Sequence, residues 1–147
     1  LNVTHNNRDY IIINIHYKCC DGSEDRRLEA SIALENYIST YLSNDNVVLL
    51  GDFNDLLIDN PNIFNPFLDE SDDYLFTDME IASGSPLYWS FPGWPSHLDH
   101  ILITDELFEY SYDTQTLLIE EVFFSNNPNL YDLYISDHRP VGIRIQN

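Results

Sequence analysis

Four apolar residues, Val47-Val48-Leu49-Leu50, run without interruption into Gly51. A run this short, β-branched at its start and stopped by glycine, predicts a strand covered on both faces. Upstream, Tyr10-Ile11-Ile12-Ile13-Asn14-Ile15-His16-Tyr17 predicts another strand. It is nearly all apolar at first. Asn14 and His16 then alternate with Ile13, Ile15 and Tyr17, so the two polar side chains share a face at the C-terminal end. Between the strands, Asp21-Gly22-Ser23 predicts a turn and helix start, with Ser23 as N-cap and Glu24 and Asp25 in the first turn. Leu28, Ile32, Leu34, Ile38, Tyr41 and Leu42 recur at roughly helical spacing, and Ser43-Asn44-Asp45-Asn46 ends the helix. Strand, helix, strand predicts an α/β fold, helices on a sheet, with functional residues at strand ends.

Further on, residues 59–73 are rich in Asn, Pro and Asp and predict a long surface connection with one helical turn. Residues 83–95 predict a loop carrying Tyr88, Trp89, Phe91 and Trp94. Strands are predicted within 98–103, at 117–124 and at 140–145. No repeat, linker or low-complexity tract divides the chain, so residues 1–147 are expected to form one domain. No apolar run is long enough to cross a bilayer.

The charge is strongly acidic, 25 Asp and Glu against 6 Lys and Arg. A protein that binds nucleic acid by neutralising phosphates has the opposite balance, so a large non-specific groove is not supported. The acidity either keeps the surface soluble or makes a divalent cation necessary before an anionic substrate enters. Cys19 and Cys20 are adjacent, and two thiols are expected because a bridge between neighbours is strained. Asn2-Val3-Thr4 matches a glycosylation sequon. The sequence starts at Leu1, with neither an initiator Met nor a signal-peptide pattern within it, and is expected to be part of a longer polypeptide.

Two motifs carry the chemistry. Gly51-Asp52-Phe53-Asn54 follows a buried strand, so Asp52 and Asn54 emerge at its mouth while Phe53 turns to the core. A carboxylate there can orient or deprotonate water or ligate a hard cation, and an amide can donate to an oxyanion. Taken alone, Asp-x-Asn after a strand is more often a turn. Ser136-Asp137-His138 precedes the last strand and again puts polar groups at a sheet rim, to serve a metal or a phosphate or simply to cap a loop. Asp99 opens an apolar strand and, if buried, needs a partner, either backbone amides or a side chain. A histidine held by it would have a fixed tautomer and a raised pKa. His16, alone, reads as a structural strand histidine.

Together, and in this order, these pieces resemble the endonuclease/exonuclease/phosphatase superfamily. The resemblance rests on Ile13-Asn14-Ile15-His16, Leu50-Gly51-Asp52-Phe53-Asn54, Ser96-His97-Leu98-Asp99-His100-Ile101-Leu102 and Ser136-Asp137-His138-Arg139-Pro140-Val141. It implies a deoxyribonuclease I-like four-layer β-sandwich, two packed sheets with outer helices. It also implies hydrolysis of a phosphoester by water, assisted by Mg²⁺ or by Mn²⁺ or Ca²⁺. By that resemblance Asp52 activates the attacking water and Asn54 donates to the phosphorane. Asp99 holds His138, which contacts the scissile phosphate, and His16 lies near the leaving group. Asp137 belongs to the metal site, with Asp52 and Asn54 beside it.

The sequence also departs from the family pattern. The family's metal-binding Glu lies in an N-terminal half that precedes the motifs found here. The chain is therefore expected to supply the C-terminal half of the domain, with the missing half or a partner chain completing it, and to be inactive alone. The abasic-site nucleases of the family carry Gly-Trp-Arg-Leu-Asp. Here Gly93-Trp94-Pro95-Ser96-His97-Leu98-Asp99 is two residues longer and lacks the Arg. Trp94 is a candidate to stack on a base or sugar, or packs within its own loop. The expected substrate is a small, lipid or nucleic-acid phosphoester, with a secreted or envelope-associated phosphodiesterase ahead of a nuclease on charge. The alternatives are a nuclease acting on DNA or abasic sites, and a non-catalytic binding module that kept the fold.

Overall fold

The structure is a computed structural model that describes residues 1–20 and 22–146. Asp21, the first residue of the expected turn, lies outside them. Five strands form the larger sheet: β1 (Asn2–His5), β2 (Arg8–His16), β3 (Asn46–Asp52), β4 (Tyr74–Phe76) and β5 (Asp99–Thr104). Their spatial order is β1-β2-β3-β5-β4. β2 and β3 are parallel, joined by helix α1 (Glu24–Tyr41), and the other pairings are antiparallel. The expected strand-helix-strand unit therefore forms the middle of this sheet.

β1 was not anticipated. Asn6 and Asn7 both take positive φ, 51° and 61°, and His5 pairs with Arg8 across them. These are the two central positions of a type I′ hairpin, which asparagine tolerates better than most residues.

α1 turns inward four of the six residues of the expected stripe: Ile38 is buried, and Leu28, Leu34 and Leu42 pack half-buried on the same core. The other two point out, Ile32 44% exposed and Tyr41 70%. Arg27 and Ser31 face inward in their place. Polar groups fit this stripe because each finds a partner. The Ser31 hydroxyl lies 3.2 Å from the Tyr17 hydroxyl, and Arg27 Nε donates to Asp55 Oδ2 at 2.8 Å. Ser23 precedes the helix but makes no side-chain cap, and only its carbonyl is used, by Arg27 N–H.

One face of the sheet packs on α1 and α2 (Asn65–Leu68) through Val47, Leu49, Leu102 and a cluster of aromatic rings around Phe53, Phe64, Phe67 and Phe76. The rings meet edge to face with centroids 5.4–6.2 Å apart, the geometry their quadrupoles favour. The connection at 59–73 is therefore not all surface. The other face carries Val48, Ile101, Ile103 and Leu107 and packs on Val141, Ile143 and Ile145. Those three belong to β7 (Val141–Gln146), which pairs with β6 (Ser111–Thr116) in a second, two-stranded sheet. Helices, sheet and second sheet make three stacked layers among the described residues, a mixed α/β sandwich.

Past the short helix α3 (Met79–Ala82), the strand expected at 117–124 is a helix, α4 (Ile119–Phe123), followed by α5 (Pro128–Tyr134). β6 pairs with β7 up to Thr116 opposite Val141. The next partner is Pro140, whose ring nitrogen has no hydrogen to donate. Only Leu117 N–H to the Pro140 carbonyl continues the ladder, at 2.8 Å, before the chain turns into α4. Cys19 and Cys20 also depart from expectation: they are joined as a disulfide, not left as two thiols. Cys20 has φ +80°, a left-handed bend at the second of the two neighbouring residues.

Candidate active site

Strand register builds the centre of the site. His16 on β2 pairs with Asp52 on β3, and Asp52 pairs with Asp99 on β5. One row across three strands therefore carries all three residues. Side-chain alternation puts them on the face that packs against the second sheet, beyond the last apolar row of that core. Asp52 Oδ2 lies 3.4 Å from His16 Nε2. His16 itself is largely exposed.

Gly51 sets the bend at the end of β3. Its φ is +138°, and a Cβ there would overlap the Ile15 carbonyl of the neighbouring strand. Phe53 then drops into the aromatic core with no exposed surface. Asn54 takes φ +52°, and its N–H donates to Asp52 Oδ1 at 2.8 Å. The Asn54 side-chain amide donates to the Tyr17 carbonyl at 3.1 Å. Asp-x-Asn thus forms a turn and places two polar groups at the strand mouth.

The fourth member arrives from far along the chain. His138 Nδ1 lies 2.7 Å from Asp99 Oδ2. A carboxylate at Nδ1 fixes the proton there and leaves Nε2 for another partner. His138 stacks on Phe91, with centroids 4.8 Å apart and an interplanar angle of 29°. Its own loop is clamped. His138 N–H donates to Ser136 Oγ, and Tyr131 Oη–H donates to the His138 carbonyl. Arg139 N–H donates to the Ser90 carbonyl at 2.7 Å.

The groups shift each other's protonation. The hydrogen bond that His138 donates to Asp99, with the charges of Asp99, Asp52 and Asp137, raises the pKa of His138. Burial pushes Asp52 up, and the nearby Asp99 charge adds to this, against the bond from Asn54 N–H. A raised carboxylate is a stronger base. Ligand atoms of Asp52, Asp99 and His138 lie within 4.8 Å of one another. The His138 nitrogen facing Asp99 is occupied by their hydrogen bond, so this pair reads as a dyad and Asp52 as the open carboxylate.

Of the residues singled out in the sequence, His16, Asp52, Asp99 and His138 come together and Asn54 adjoins them. Asp137 is exposed beside His138 and outside the three-residue cluster. Trp94 is 77% exposed at the tip of the loop closed by the Phe91–Ser96 bridge.

A second polar cluster lies underneath. Asp78, His97 and His100 are almost fully buried. Asp78 Oδ2 lies 2.6 Å from His100 Nδ1 and 3.0 Å from His97 Nε2, and Asp78 Oδ1 accepts Ile101 N–H. His100 Nε2 lies 3.0 Å from the Asp55 carbonyl. Both His100 nitrogens face acceptors, so the ring is satisfied as a cation. Burial alone would lower its pKa, and the Asp78 charge overcomes this and raises it. Burial likewise opposes the Asp78 charge, and the two histidines hold that carboxyl well below the usual range. His97 Nδ1 accepts Ser90 N–H at 3.2 Å, which assigns its proton to Nε2, toward Asp78. Each ligand nitrogen is already committed to a hydrogen bond, which makes this an ion-pair network and not a metal site. Sequence reasoning missed it. Its only visible trace was a pair of histidines three apart in the strand entrance.

No family model matches the chain and no curated protein sequence matches it. Its structure is similar to the human Nocturnin catalytic domain with bound sulfate anion (TM-score 0.57, 18% identity, 96% of this chain and 49% of that one). It is similar to D. rerio TDP2 complexed with single-strand DNA product (0.67, 13%, 99% and 59%). It is also similar to the Bacteroides thetaiotaomicron VPI-5482 mannosyl-6-phosphatase Bt3783 (0.58, 16%, 97% and 53%). The fold is deoxyribonuclease I-like. These structures are of the endonuclease/exonuclease/phosphatase superfamily. The deoxyribonuclease I-like chain described here spans about half to three fifths of the length of each.

Proposed function

We propose that this chain supplies the C-terminal half of the active site of a metal-dependent phosphoester hydrolase. One observation carries the reading. Three strands bring His16, Asp52 and Asp99 into one row, and Asp99 aims a fourth residue, His138, with Nε2 free. An ordinary turn at Asp52-x-Asn54 has no use for a His–Asp dyad placed beside it.

The roles follow from position. Asp52, buried enough to be a stronger base, takes a proton from water. The water oxygen bonds to phosphorus while the ester P–O bond breaks. His16 lies on the far side of Asp52 from Asp99 in the row and gives a proton to the leaving oxygen. His138, held by Asp99, donates from Nε2 to a phosphoryl oxygen. Asn54 has given one amide hydrogen to Tyr17 and offers the other to the developing charge. The donor set suits a hard divalent cation, which takes carboxylate oxygens and keeps several waters. Asp52 and the exposed Asp137 would hold it. When bound, it would neutralise phosphate charge and orient the groups around it.

A small or lipid phosphoester fits better than a long nucleic acid. Arg139, next to His138, is committed to Glu120 and to the Leu87 and Trp89 carbonyls, and Arg27 is committed to Asp55. Neither is left for a run of phosphates. A nuclease is the second reading, favoured by exposed Trp94 as a stacking surface. The coverage of about half of each matched structure supports a further segment or partner chain completing the fold.

The full-length protein, assayed with Mg²⁺ against plasmid DNA, RNA, sphingomyelin, a phosphoinositide and a generic diester, tests both readings. Hydrolysis of a small or lipid ester is expected, lost on chelation and lowered by at least about 10²-fold in Asp52→Ala and His138→Ala. Cleavage of plasmid DNA alone would give preference to the nuclease. Variants with parent-like turnover would overturn the role assignments.

A further inference from the structure

Ser90 has no exposed surface and lies in a loop that the reaction does not touch directly. Each of its polar groups contacts a segment that carries the site. Its Oγ accepts both Leu98 N–H and Asp99 N–H at 3.1 Å, at the entrance of β5. Its carbonyl accepts Arg139 N–H at 2.7 Å, one residue from His138. Its own N–H donates to His97 Nδ1, and His97 leads to Asp78. Asp78 connects onward through His100 to the Asp55 carbonyl, at the end of the Asp52–Asn54 turn. Asp99 and His138 are 39 residues apart in sequence, and within the sandwich Ser90 touches the backbone at or beside both.

We propose that Ser90 is a positioning residue for the Asp99–His138 dyad, and that the buried Asp78–His97–His100 network anchors it. The proposal rests on the hydrolase reading above. Two backbone N–H groups on one buried hydroxyl fix where Asp99 begins its strand. The carbonyl of the same residue fixes where the His138 loop ends. A dyad that must present Nε2 to a phosphate depends on both constraints, because a displacement of about 1 Å can cost about 10²-fold in rate. Ser90 touches no reacting atom, so its loss acts on turnover through orientation.

The test uses the full-length protein and Ser90→Ala, with Leu107→Ala as a comparison. Leu107 is fully buried in the core on the second-sheet side of the larger sheet, and none of the hydrogen bonds above involves its side chain. Two quantities are read: kcat and KM for the substrate found above, and the proton NMR resonance of His138 Nδ1–H. Ser90→Ala is expected to lower kcat by about 10²-fold with little change in KM, and to shift or broaden that resonance. Leu107→Ala is expected to lower the melting temperature and leave both readouts in place well below the transition. Ser90→Cys, close in size and a poorer acceptor, is expected to show a smaller loss in the same direction and serves if the alanine variant does not fold. Parent-like kcat and an unmoved His138 resonance in the serine variants would overturn the proposal. If Asp52→Ala and His138→Ala also left hydrolysis unchanged, the hydrolase reading would fail, and the resonance would still decide whether Ser90 positions the dyad.

Discussion

Asp99 Oδ2 lies 2.7 Å from His138 Nδ1, and that bond joins the entrance of β5 to the loop before β7. It links the two sheets of the sandwich at the rim where the polar row sits. Its removal should therefore separate orientation from folding. Asp99→Asn keeps the size of the side chain and loses the charge that fixes the His138 proton. Turnover in the full-length protein is expected to fall by about 10²-fold or more, with the melting temperature little changed. Parent-like kcat in Asp99→Asn would remove the dyad from the mechanism.

Gly51 is required for backbone reasons alone. Its φ of +138° disfavours any side chain, and a Cβ would overlap the Ile15 carbonyl. Gly51→Ala is expected to destabilise the fold by more than about 4 kcal/mol, the scale of a rare, severe substitution. Chemical denaturation measures it, and a loss below about 1 kcal/mol would show that β2 and β3 can separate locally at this point.

Arg139 and Glu120 form a buried pair, with side chains 12% and 3% exposed and Nε 2.7 Å from Oε1. The sequence puts Arg139 beside His138, a natural place for a phosphate-binding cation. The structure turns it away, into α4. Glu120→Ala leaves a buried guanidinium without its counter-charge and is expected to cost about 3–5 kcal/mol. The urea midpoint reads this directly, and an unchanged midpoint would mean the carbonyls of Leu87 and Trp89 satisfy the arginine by themselves.

The Asp78–His100 pair makes stability depend on pH. His100 is raised from 6.5 in the fold, so the stability it contributes is complete below 6.5 and is lost as pH rises through its raised value. Asp78 is lowered from 3.8, so its contribution is complete above 3.8 and is lost as pH falls through its depressed value. The pair contributes fully between 3.8 and 6.5. Unfolding free energy is expected to decline as pH rises above 6.5, toward the raised value of His100, and to decline less in His100→Gln. Parallel profiles for the two proteins would show that folding does not raise the pKa of His100.

Much of this protein could be read from local pattern. The apolar run before Gly51, the alternation that exposes His16, and the Asp and His residues at strand ends follow from side-chain periodicity and from what glycine permits. These identified the central strands and the helix between them, and placed His16, Asp52, Asn54 and Asp99 at strand ends. Where the reading went wrong, a long-range partner had decided the outcome. Ser31 and Arg27 replaced Ile32 and Tyr41 on the buried stripe of α1 because Tyr17 and Asp55 receive them. Residues 117–124 became a helix because the facing residue is Pro140.

The sequence by itself therefore determined which groups stand at the strand mouths, since position along a strand and the next turn are local properties. Only the tertiary structure decided which of them meet. Strand register placed His16, Asp52 and Asp99 in one row, and sheet packing brought His138 to Asp99 across 39 residues. The same packing sent Arg139 to Glu120 and buried Asp78 with two histidines, because buried charge must find a partner wherever the chain provides one.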